Sequence, residues 1–547
     1  MTFAAIKNLS NKQIAALLAV GVLVLLVVTA PQMGLTWDEP AYIVAAESYS
    51  AWFGELFQNP GQALSQEIID QYWEVNHEHP PLDKVWSGLV WRVARHVFDD
   101  LTAHRLGNML GVAALVAMLY LLVAEVFGRR AGLLSVAALL TMPRFFFHSH
   151  LASLDVPAAV TIFAVVYVFW KTKDKHGIQS GLLLGLAWGV AMATKVNAAF
   201  VMPALFIWML FYQREGKLFG RLVLAGFMAF IVFVISWPWL YPDPFTRMYD
   251  YYLFITVDHW EIGQFYLHQF HMPPPWHFAF VMIVAVTPLA LMLSAILGTW
   301  RTWKARTNDQ GSLGVLFLLN ALLPIIMLAI GKSMVYDNDR LMMPAFVFLA
   351  ALAGVGLHWL LTQLSAALAA RQRERLTPYL TAGLLALAFI PQLVVAATFY
   401  PHLLSYYSAS VGGLRGATAL GLETTYWCET YNEALDFINA NAEPGDAVWV
   451  DPYSNDVMTY YQLQGRLRDD VVILMPEWGS TVFGDQARLR KANFAWADFI
   501  VLQYRQTSLI PGGNGDGVLD WVADDTPDIQ IAHSNIPLIE VYDMRTP

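Results

Sequence analysis

Residues 14–30 read IAALLAVGVLVLLVVTA, and residues 36–40, which follow after five further positions, read TWDEP. An uninterrupted apolar run of this length is typical of a helix that crosses a membrane. Asp38 and Glu39 therefore stand at the mouth of a predicted span. A carboxylate beside hydrocarbon must face water, a partner or a substrate, so this acidic pair is the first candidate for chemistry.

The composition extends the membrane prediction to most of the chain. Of the 547 residues, 57% are hydrophobic and only 14% are charged, whereas soluble domains carry about a quarter charged residues. The sequence therefore predicts a polytopic α-helical membrane protein. Basic residues are scattered in pairs and triplets, which excludes a nucleic-acid surface. Cys428 is the single cysteine, so an intramolecular disulfide is excluded.

Apolar segments predict about 11 transmembrane helices. They lie near residues 14–30, 104–126, 130–143, 155–171, 179–195, 197–212, 219–239, 278–298, 313–330, 341–361 and 379–399. The first could instead be a cleaved signal peptide, because two lysines precede it and residues 28–30 resemble a cleavage site. Its length favours a retained span.

Basic residues decide the predicted orientation, because cytoplasmic loops are enriched in Lys and Arg. With the N-terminus in the cytoplasm, sixteen of the 25 basic residues before residue 400 fall on the cytoplasmic side. Loops 31–103 and 240–277 and all residues after 399 are then extracytoplasmic. The few cysteines and the simple loops favour a prokaryotic plasma (inner) membrane.

Two domains are predicted, a transmembrane domain over residues 1–399 and an extracytoplasmic α/β domain over residues 400–547. In the second, predicted helices at 431–440, 455–461 and 486–494 alternate with apolar strands at 447–450, 471–474 and 499–502. Loop 31–103 contains helical stretches at 41–57 and 84–98 that we expect to lie in the membrane interface. The glycines of 411–416 do not have the spacing of a nucleotide loop and predict a flexible join.

Polar residues collect on the predicted outer side, and each of them has two interpretations. Glu39 directly precedes Pro40, and Asp155 lies two positions before Pro157. Both stand at predicted helix starts, where acidic residues commonly cap the helix. Lysines at span ends, such as Lys195 and Lys332, commonly reach to the lipid headgroups. The histidines near Glu78 fit no strong zinc signature. Their shared depth nevertheless favours one site.

The order of the motifs is similar to that of a known family. They are Trp37-Asp38-Glu39-Pro40, His79-Pro80-Pro81-Leu82-Asp83-Lys84, Leu154-Asp155-Val156-Pro157, Pro274-Pro275-Trp276-His277-Phe278 and Asp337-Asn338-Asp339-Arg340-Leu341-Met342-Met343-Pro344. Over residues 10–400 the chain resembles the GT-C superfamily of membrane glycosyltransferases. The group within it is glycosyltransferase family 39 and the lipid A aminoarabinose transferases (ArnT-like), often described as dolichyl-phosphate-mannose-protein mannosyltransferase-like.

The resemblance implies a GT-C fold and transfer of a hexose or pentose from a polyprenyl-phosphate donor to a protein, lipid or glycan acceptor. Asp38 would be the catalytic base, and Glu39 or Asp155 would orient the acceptor or share that role. Arg340 and Lys84, with Lys195 and Lys332, would bind the donor phosphate. Some GT-C enzymes use a divalent metal ion, and Glu78, His79 and His271 are the candidate ligands.

Two readings compete with a transferase. A transporter or flippase of a lipid-linked sugar is the first, but transport sites commonly lie near the bilayer midplane between related halves, and here the ionisable residues collect at one face. A membrane scaffold is the second, and it leaves the carboxylates and cations unexplained.

Overall fold

The computed structural model describes residues 8–175, 177–213, 216–258, 262–330, 335–513 and 515–545. A helical part extends to Phe399, and a mixed sheet follows in the last hundred residues. The polytopic helical class and the C-terminal α/β domain are therefore confirmed.

The helical part contains seventeen helices of six residues or more within the described ranges. In chain order they are α1 Asn11–Thr29, α2 Glu39–Gln58, α3 Gln66–Trp73, α4 Leu82–Ala94, α5 Asp100–Phe127, α6 Arg129–Leu140, α7 Pro143–His148, α8 Asp155–Thr172, α9 Ile178–Thr194, α10 Val201–Tyr212, α11 Gly216–Ile235, α12 Pro244–Leu253, α13 Phe278–Val286, α14 Leu289–Lys304, α15 Asp309–Ala329, α16 Met343–Ala370 and α17 Thr377–Phe399.

Each predicted span lies on a helix, but their lengths differ from the prediction of eleven. Six described helical segments are long and apolar enough to cross a membrane alone. A seventh span results if α13 and α14, which meet at a bend of 113°, count as one. The helix α9, the segment Val196–Tyr212 that contains α10, and the part Phe219–Ile235 of α11 are apolar but shorter, and α6 has only 12 residues. The number eleven therefore stays a prediction.

Long helices pack around α16, the most buried of the candidate spans. Glycines make the closest approaches possible. A Cβ added at Gly298 of α14 would lie 2.0 Å from the backbone oxygen of Leu352, and one at Gly356 of α16 would lie 1.9 Å from that of Ser294. Small residues at such crossings allow membrane helices to pack closely. The α14–α16 pair is therefore a tight seam.

The segment between the last span and the sheet is packed rather than flexible, contrary to the prediction of a flexible join. Tyr406, Tyr407 and Trp427 are buried, and the Ser408 backbone N–H donates to the Ala285 carbonyl. The segment also contains α18, Gly413–Ala419. Its packing ties the C-terminal domain to the helical part.

The C-terminal domain is a six-stranded sheet with the order β5-β4-β3-β6-β8-β7. The strands are β3 Ala447–Asp451, β4 Val472–Met475, β5 Leu489–Lys491, β6 Phe499–Gln503, β7 Ile529–His533 and β8 Ile536–Asp543; β1 Gln264–Tyr266 and β2 Gln269–His271 form a separate hairpin. The helices α19 Asn432–Asn441 and α20 Asn455–Leu463 match the prediction. The predicted helix at 486–494 is wrong, because strand β5 lies there.

The sheet reverses its order beside β3, since β4 lies on one side of β3 and β6 on the other. Both neighbours run parallel to β3. In open α/β sheets the carboxyl ends of the strands at such a reversal form a crevice. Here that edge carries Asp451, Gln503 and Arg505, and Arg505 reaches into the helical part.

Candidate active site

Asp38 occupies the N-cap position of α2, yet its side chain makes no capping hydrogen bond. Its Oδ2 instead accepts a hydrogen bond from Nη1 of Arg340 at 2.5 Å and a longer one from the Tyr42 hydroxyl at 3.4 Å. The Asp38 side chain remains 23% exposed. Its carboxylate is therefore paired with a cation and open to an incoming molecule at once.

Arg340 is held from several sides directly before α16. Its guanidinium lies 4.7 Å from the ring centres of both Tyr336 and Trp427, and its Nε lies 3.5 Å from Oδ2 of Asp337. Only 6% of its side chain is exposed. Arginine between aromatic rings is pre-organised, so little entropy is lost when it binds an anion.

The C-terminal domain supplies part of this setting. The indole N–H of Trp427 donates to Asp337 Oδ2 at 3.0 Å, and Nη2 of Arg505 donates to Asp337 Oδ1 at 2.7 Å. Asp337, Asn338, Trp427 and Cys428 all have positive φ, from 52° to 74°. Strained backbone of this kind persists only where the surroundings over-determine it. The two domains thus jointly fix the loop that carries Arg340.

Asp155 and Lys195 form a second pair next to the first. Nζ of Lys195 donates to Asp155 Oδ1 at 2.5 Å, and the Asp155 side chain is only 4% exposed. Tyr42 links the two pairs: burial raises its pKa, and the charges of Asp38, Arg340 and Asp155 all act on it. The structure thus brings together four predicted site residues, Asp38, Asp155, Lys195 and Arg340.

An apolar groove opens beside Lys195. Its walls come from α8, α10, α15 and the start of α16, and they include Ile162, Val201, Leu328 and Pro344. Carbon-rich walls next to an ammonium group suit a molecule with a hydrocarbon chain and an anionic head.

Glu39, in contrast, is a structural residue in this geometry. It is fully buried, and its two oxygens accept hydrogen bonds from Arg105 at 2.8 and 2.7 Å. They also accept from the backbone of Thr36 and of Ala152. Burial by itself raises the pKa of Glu39, but the charge and hydrogen bonds of Arg105 outweigh burial and lower it. The predicted role of Glu39 at the acceptor is not what these contacts favour.

We expect Glu39→Gln to lower the free energy of unfolding by about 3–5 kcal/mol, because it leaves the Arg105 charge buried without a counter-charge. Thermal unfolding of the purified protein in nanodiscs measures this. Glu67→Gln, on the exposed face of α3, is the control and should change little. An unchanged unfolding temperature together with lost activity would instead indicate that Glu39 acts in the reaction.

Lys84 does not reach the site, contrary to its predicted role in binding the donor phosphate. Its Nζ donates to the carbonyl and side-chain oxygens of Asn76 and to the His79 carbonyl, at 2.7 to 3.0 Å. The residue is 1% exposed, and burial lowers its pKa to about 7 although Glu78 and Asp83 act in the opposite direction. Lys84 therefore stabilises the loop before α4. Lys332 lies outside the described residues.

The candidate metal ligands do not converge in the part of the chain that the structure describes. Glu78, His79 and His271 do not bring their ligand atoms within 4.8 Å of one another. His271 lies on β2 and contacts the Tyr266 carbonyl at 3.2 Å. Glu47, Asp100 and His104 do meet this criterion, but Asp100 already accepts hydrogen bonds from Trp91 and Tyr460. The described residues therefore do not bring the predicted ligands Glu78, His79 and His271 together around one metal ion.

Sequence reasoning missed several charged residues around the site. Arg144 donates to Asp339 through Nη1 and lies 4.5 Å from the ring centre of Tyr407. Asp337 and Asp339 belong to the motif that contains Arg340, so the motif itself could have indicated them. Arg505 follows β6 at the carboxyl edge of the sheet, where ligand sites are common.

A polar cluster lies behind Arg505 in the C-terminal domain. Gln503 donates to Glu429 Oε2 at 3.0 Å, and Ser508 donates to Asp451 Oδ1 at 2.9 Å. Burial raises the pKa of both Glu429 and Asp451 to about 7. Both carboxyl groups thus keep their protons in the folded protein at pH values where the unfolded chain has lost them.

We expect the unfolding temperature of the C-terminal domain to fall as the pH rises from about 4.5 to 7.5, because the folded state binds more protons than the unfolded state in that window. Each unit of pKa difference corresponds to about 1.4 kcal/mol. Differential scanning calorimetry of the full chain across this range measures the slope. Glu429→Gln, which is neutral at every pH, should flatten it; an unchanged slope would contradict the assignment.

Comparison with known proteins shows sequence similarity over part of the chain. A family model described as dolichyl-phosphate-mannose-protein mannosyltransferase matches residues 78–241. The chain is 25% identical over 297 residues to an undecaprenyl phosphate-alpha-4-amino-4-deoxy-L-arabinose arabinosyl transferase of Erwinia tasmaniensis, which covers 52% of this chain and 50% of that protein. A protein of the same description from Yersinia enterocolitica is 25% identical over 279 residues, or 49% and 48% of the two chains. The match spans about half the length of these relatives.

Solved structures show the same fold. ArnT from Cupriavidus metallidurans in the apo state is 15% identical, with a TM-score of 0.53 over 96% of this chain and 97% of that one. ArnT from the same organism bound to undecaprenyl phosphate is 16% identical, with a TM-score of 0.52 over the same shares. The Archaeoglobus fulgidus oligosaccharyltransferase tethered with an acceptor peptide is 12% identical, with a TM-score of 0.50 over 97% and 73%.

The chain therefore shares the fold of these solved structures, in agreement with the predicted GT-C fold. In sequence, the chain is similar to the two arabinosyl transferases over about half of its length, in agreement with the resemblance that its motifs indicate.

Proposed function

We propose that this protein transfers a sugar from a polyprenyl-phosphate donor to an acceptor on the extracytoplasmic face of a prokaryotic plasma membrane. The single observation that carries the proposal is the Asp38–Arg340 pair, at 2.5 Å, on a partly exposed carboxylate. A base for the acceptor and a cation for the leaving phosphate are the two groups that the reaction needs, and here they touch.

In the proposed reaction the acceptor oxygen attacks the anomeric carbon as the bond from that carbon to the phosphate oxygen breaks. Asp38 takes the proton of the acceptor hydroxyl group, and polyprenyl phosphate leaves with the bonding electron pair. Arg340 stabilises the charge that develops on the phosphate. Fixed positive charge in a water-poor site is commonly a large catalytic contribution.

Donor binding itself prepares the base. Without donor, the Asp38 carboxylate is paired with Arg340. A donor phosphate competes with Asp38 for the same guanidinium. Once Arg340 binds the phosphate, the Asp38 carboxylate loses that partner and can accept a hydrogen bond from the acceptor hydroxyl group. Proton transfer is thereby coupled to the presence of donor.

The groove beside Lys195 supports a lipid-linked donor, because it can take the first isoprene units while Lys195 lies near the phosphate. The two curated relatives are described as arabinosyl transferases that act with an undecaprenyl-phosphate sugar. An undecaprenyl-phosphate aminopentose is therefore the first donor to test, before hexose donors. The acceptor is a protein, lipid or glycan hydroxyl group.

The experiment is sugar release from a panel of labelled undecaprenyl-phosphate pentoses and hexoses, by the full chain in nanodiscs, with a membrane extract as acceptor. Wild type is compared with Asp38→Asn and with Asp243→Asn. Asp243 caps α12, where Asn caps equally well. The proposal is supported if wild type and Asp243→Asn transfer sugar and Asp38→Asn does not. Donor binding without transfer in any extract would contradict it.

A further inference from the structure

A second polar cavity lies at the opposite end of the bundle from Asp38. It has a volume of about 200 Å³ and lies between the ends of α5, α14, α15 and α16. Its polar lining includes Arg301, Gln310, His358 and Gln363, and none of its lining residues is acidic. At 1.5 Å per residue, Trp359 lies about 24 Å along α16 from Met343. The cavity is thus about one hydrocarbon thickness away from Arg340.

Aromatic and basic residues mark this end as a headgroup region. Trp300 and Trp359 meet edge to face with ring centres 5.4 Å apart. Nζ of Lys304 lies 4.1 Å from the Trp300 ring centre, and Arg306 lies 5.5 Å from that of Trp303. Tryptophan collects at membrane–water interfaces, where one side of the ring meets lipid and the other meets water.

The cavity lies beside the close crossing of α14 and α16. Gly298 and Gly356 hold α14 and α16 in backbone contact. Past these glycines the two helices meet through the rings of Trp300 and Trp359, which are 5.4 Å apart, and Trp359 also lines the cavity.

Arg301 is the charged residue that this opening presents to a ligand. Within the described residues its guanidinium makes no hydrogen bond and no ion pair. Arg130 adds a second positive charge close enough to act on His358. Other cations at this end have acidic partners, for example Lys171 with Glu125 and Lys173 with Asp174. A partly buried arginine without an anion is pre-placed for a phosphate.

A lipid-facing stripe leads to the cavity along α14. Leu289, Leu293, Ile296 and Trp300 are exposed at helical spacing, with Leu293 and Ile296 more than half exposed. In a membrane this stripe contacts acyl chains. An anion that enters from the lipid side can therefore keep its chains on the stripe and its head in the cavity.

We infer that this cavity binds the phosphate of an anionic phospholipid from the leaflet opposite the proposed active site. Basic pockets between spans at headgroup depth are known to hold such lipids. The inference does not depend on the proposed transferase activity. Polyprenyl phosphate and a free phosphate ester share the same head chemistry, and the experiment separates them.

The test measures thermal unfolding of the delipidated full chain in detergent while one additive is titrated. The additives are phosphatidylglycerol, phosphatidylcholine, undecaprenyl phosphate and glycerol phosphate. We expect phosphatidylglycerol to raise the unfolding temperature and phosphatidylcholine not to. Arg301→Gln should weaken the apparent affinity for phosphatidylglycerol about fivefold, and Arg301→Lys should restore most of it. Arg371→Gln, an exposed arginine at the end of α16, is the matched control.

Equal stabilisation of wild type and Arg301→Gln by phosphatidylglycerol overturns the inference, and so does equal stabilisation by phosphatidylcholine. An Arg301-dependent shift with glycerol phosphate alone overturns the lipid part, and one with undecaprenyl phosphate in preference to phosphatidylglycerol overturns the choice of phospholipid. Native mass spectrometry supplies a second readout, because wild type should retain one phosphatidylglycerol more than Arg301→Gln.

Discussion

Asp38→Asn is expected to lower kcat by about 10²- to 10⁴-fold, the contribution typical of a positioned general base. The amide has nearly the same shape as the carboxylate but takes no proton from an acceptor. Donor affinity should stay the same or increase, because Arg340 no longer has to give up Asp38 before it binds the phosphate. The measurements are single-turnover transfer and, separately, binding of undecaprenyl phosphate.

A loss of transfer without a loss of donor binding distinguishes a base from a structural role. A structural role for Asp38 predicts loss of transfer and of donor binding together, with a lower unfolding temperature. Asp243→Asn should retain normal transfer, because Asp243 caps α12 and Asn caps a helix equally well. Normal transfer by Asp38→Asn would contradict the assignment of the base.

Arg340→Gln is expected to lower kcat/KM for the donor by about 10²- to 10³-fold, as the loss of one pre-placed donor to a developing anion does elsewhere. Glutamine keeps some hydrogen bonding but no charge and does not reproduce the fork that suits phosphate oxygens. Arg340→Lys should recover part of the loss. Steady-state transfer at varied donor concentration measures the effect, and Arg466→Gln on the exposed surface of the C-terminal domain is the control.

Arg505→Gln extends this prediction to the C-terminal domain. Asp337 would lose its 2.7 Å partner and compete more strongly for Arg340, whose Nε is already 3.5 Å away. We expect the donor KM to rise about tenfold, with the acceptor KM unchanged and partial rescue by Arg505→Lys. A uniform loss of kcat with unchanged donor KM would show that Arg505 does not act through Arg340.

Local patterns carried much of the fold and part of the site. Apolar runs located every predicted span on a helix, and alternating short strands located β3, β4 and β6. At 486–494 the apolar pattern is short and exposed, so periodicity did not distinguish an α-helix from a strand. Strand β5 forms there because it pairs with the edge of β4. The number of helices that fully cross the membrane also depends on packing, since α9 and α10 are apolar but short.

The sequence could indicate Asp38, Asp155 and Arg340 as site candidates, because an ionisable residue at a span end is rare and costly whatever its neighbours. The sequence could not separate Asp38 from Glu39, since adjacent residues on a helix point in different directions and only the neighbouring helices decide which one is buried. Arg105, 66 positions further along the chain, donates hydrogen bonds to both carboxylate oxygens of the buried Glu39. Asp38 is then the more exposed carboxylate of the two.

The sequence by itself determined the membrane class, the approximate spans, the C-terminal α/β domain and the end of the bundle where the acidic motifs collect, because these depend on local composition. Only the tertiary structure decided the pairs: Arg340 with Asp38, Lys195 with Asp155, and Arg505 of the C-terminal domain with Asp337. The partners are 302, 40 and 168 positions apart. Charge pairing over such separations follows from how helices and domains pack, and no local pattern in the chain encodes it.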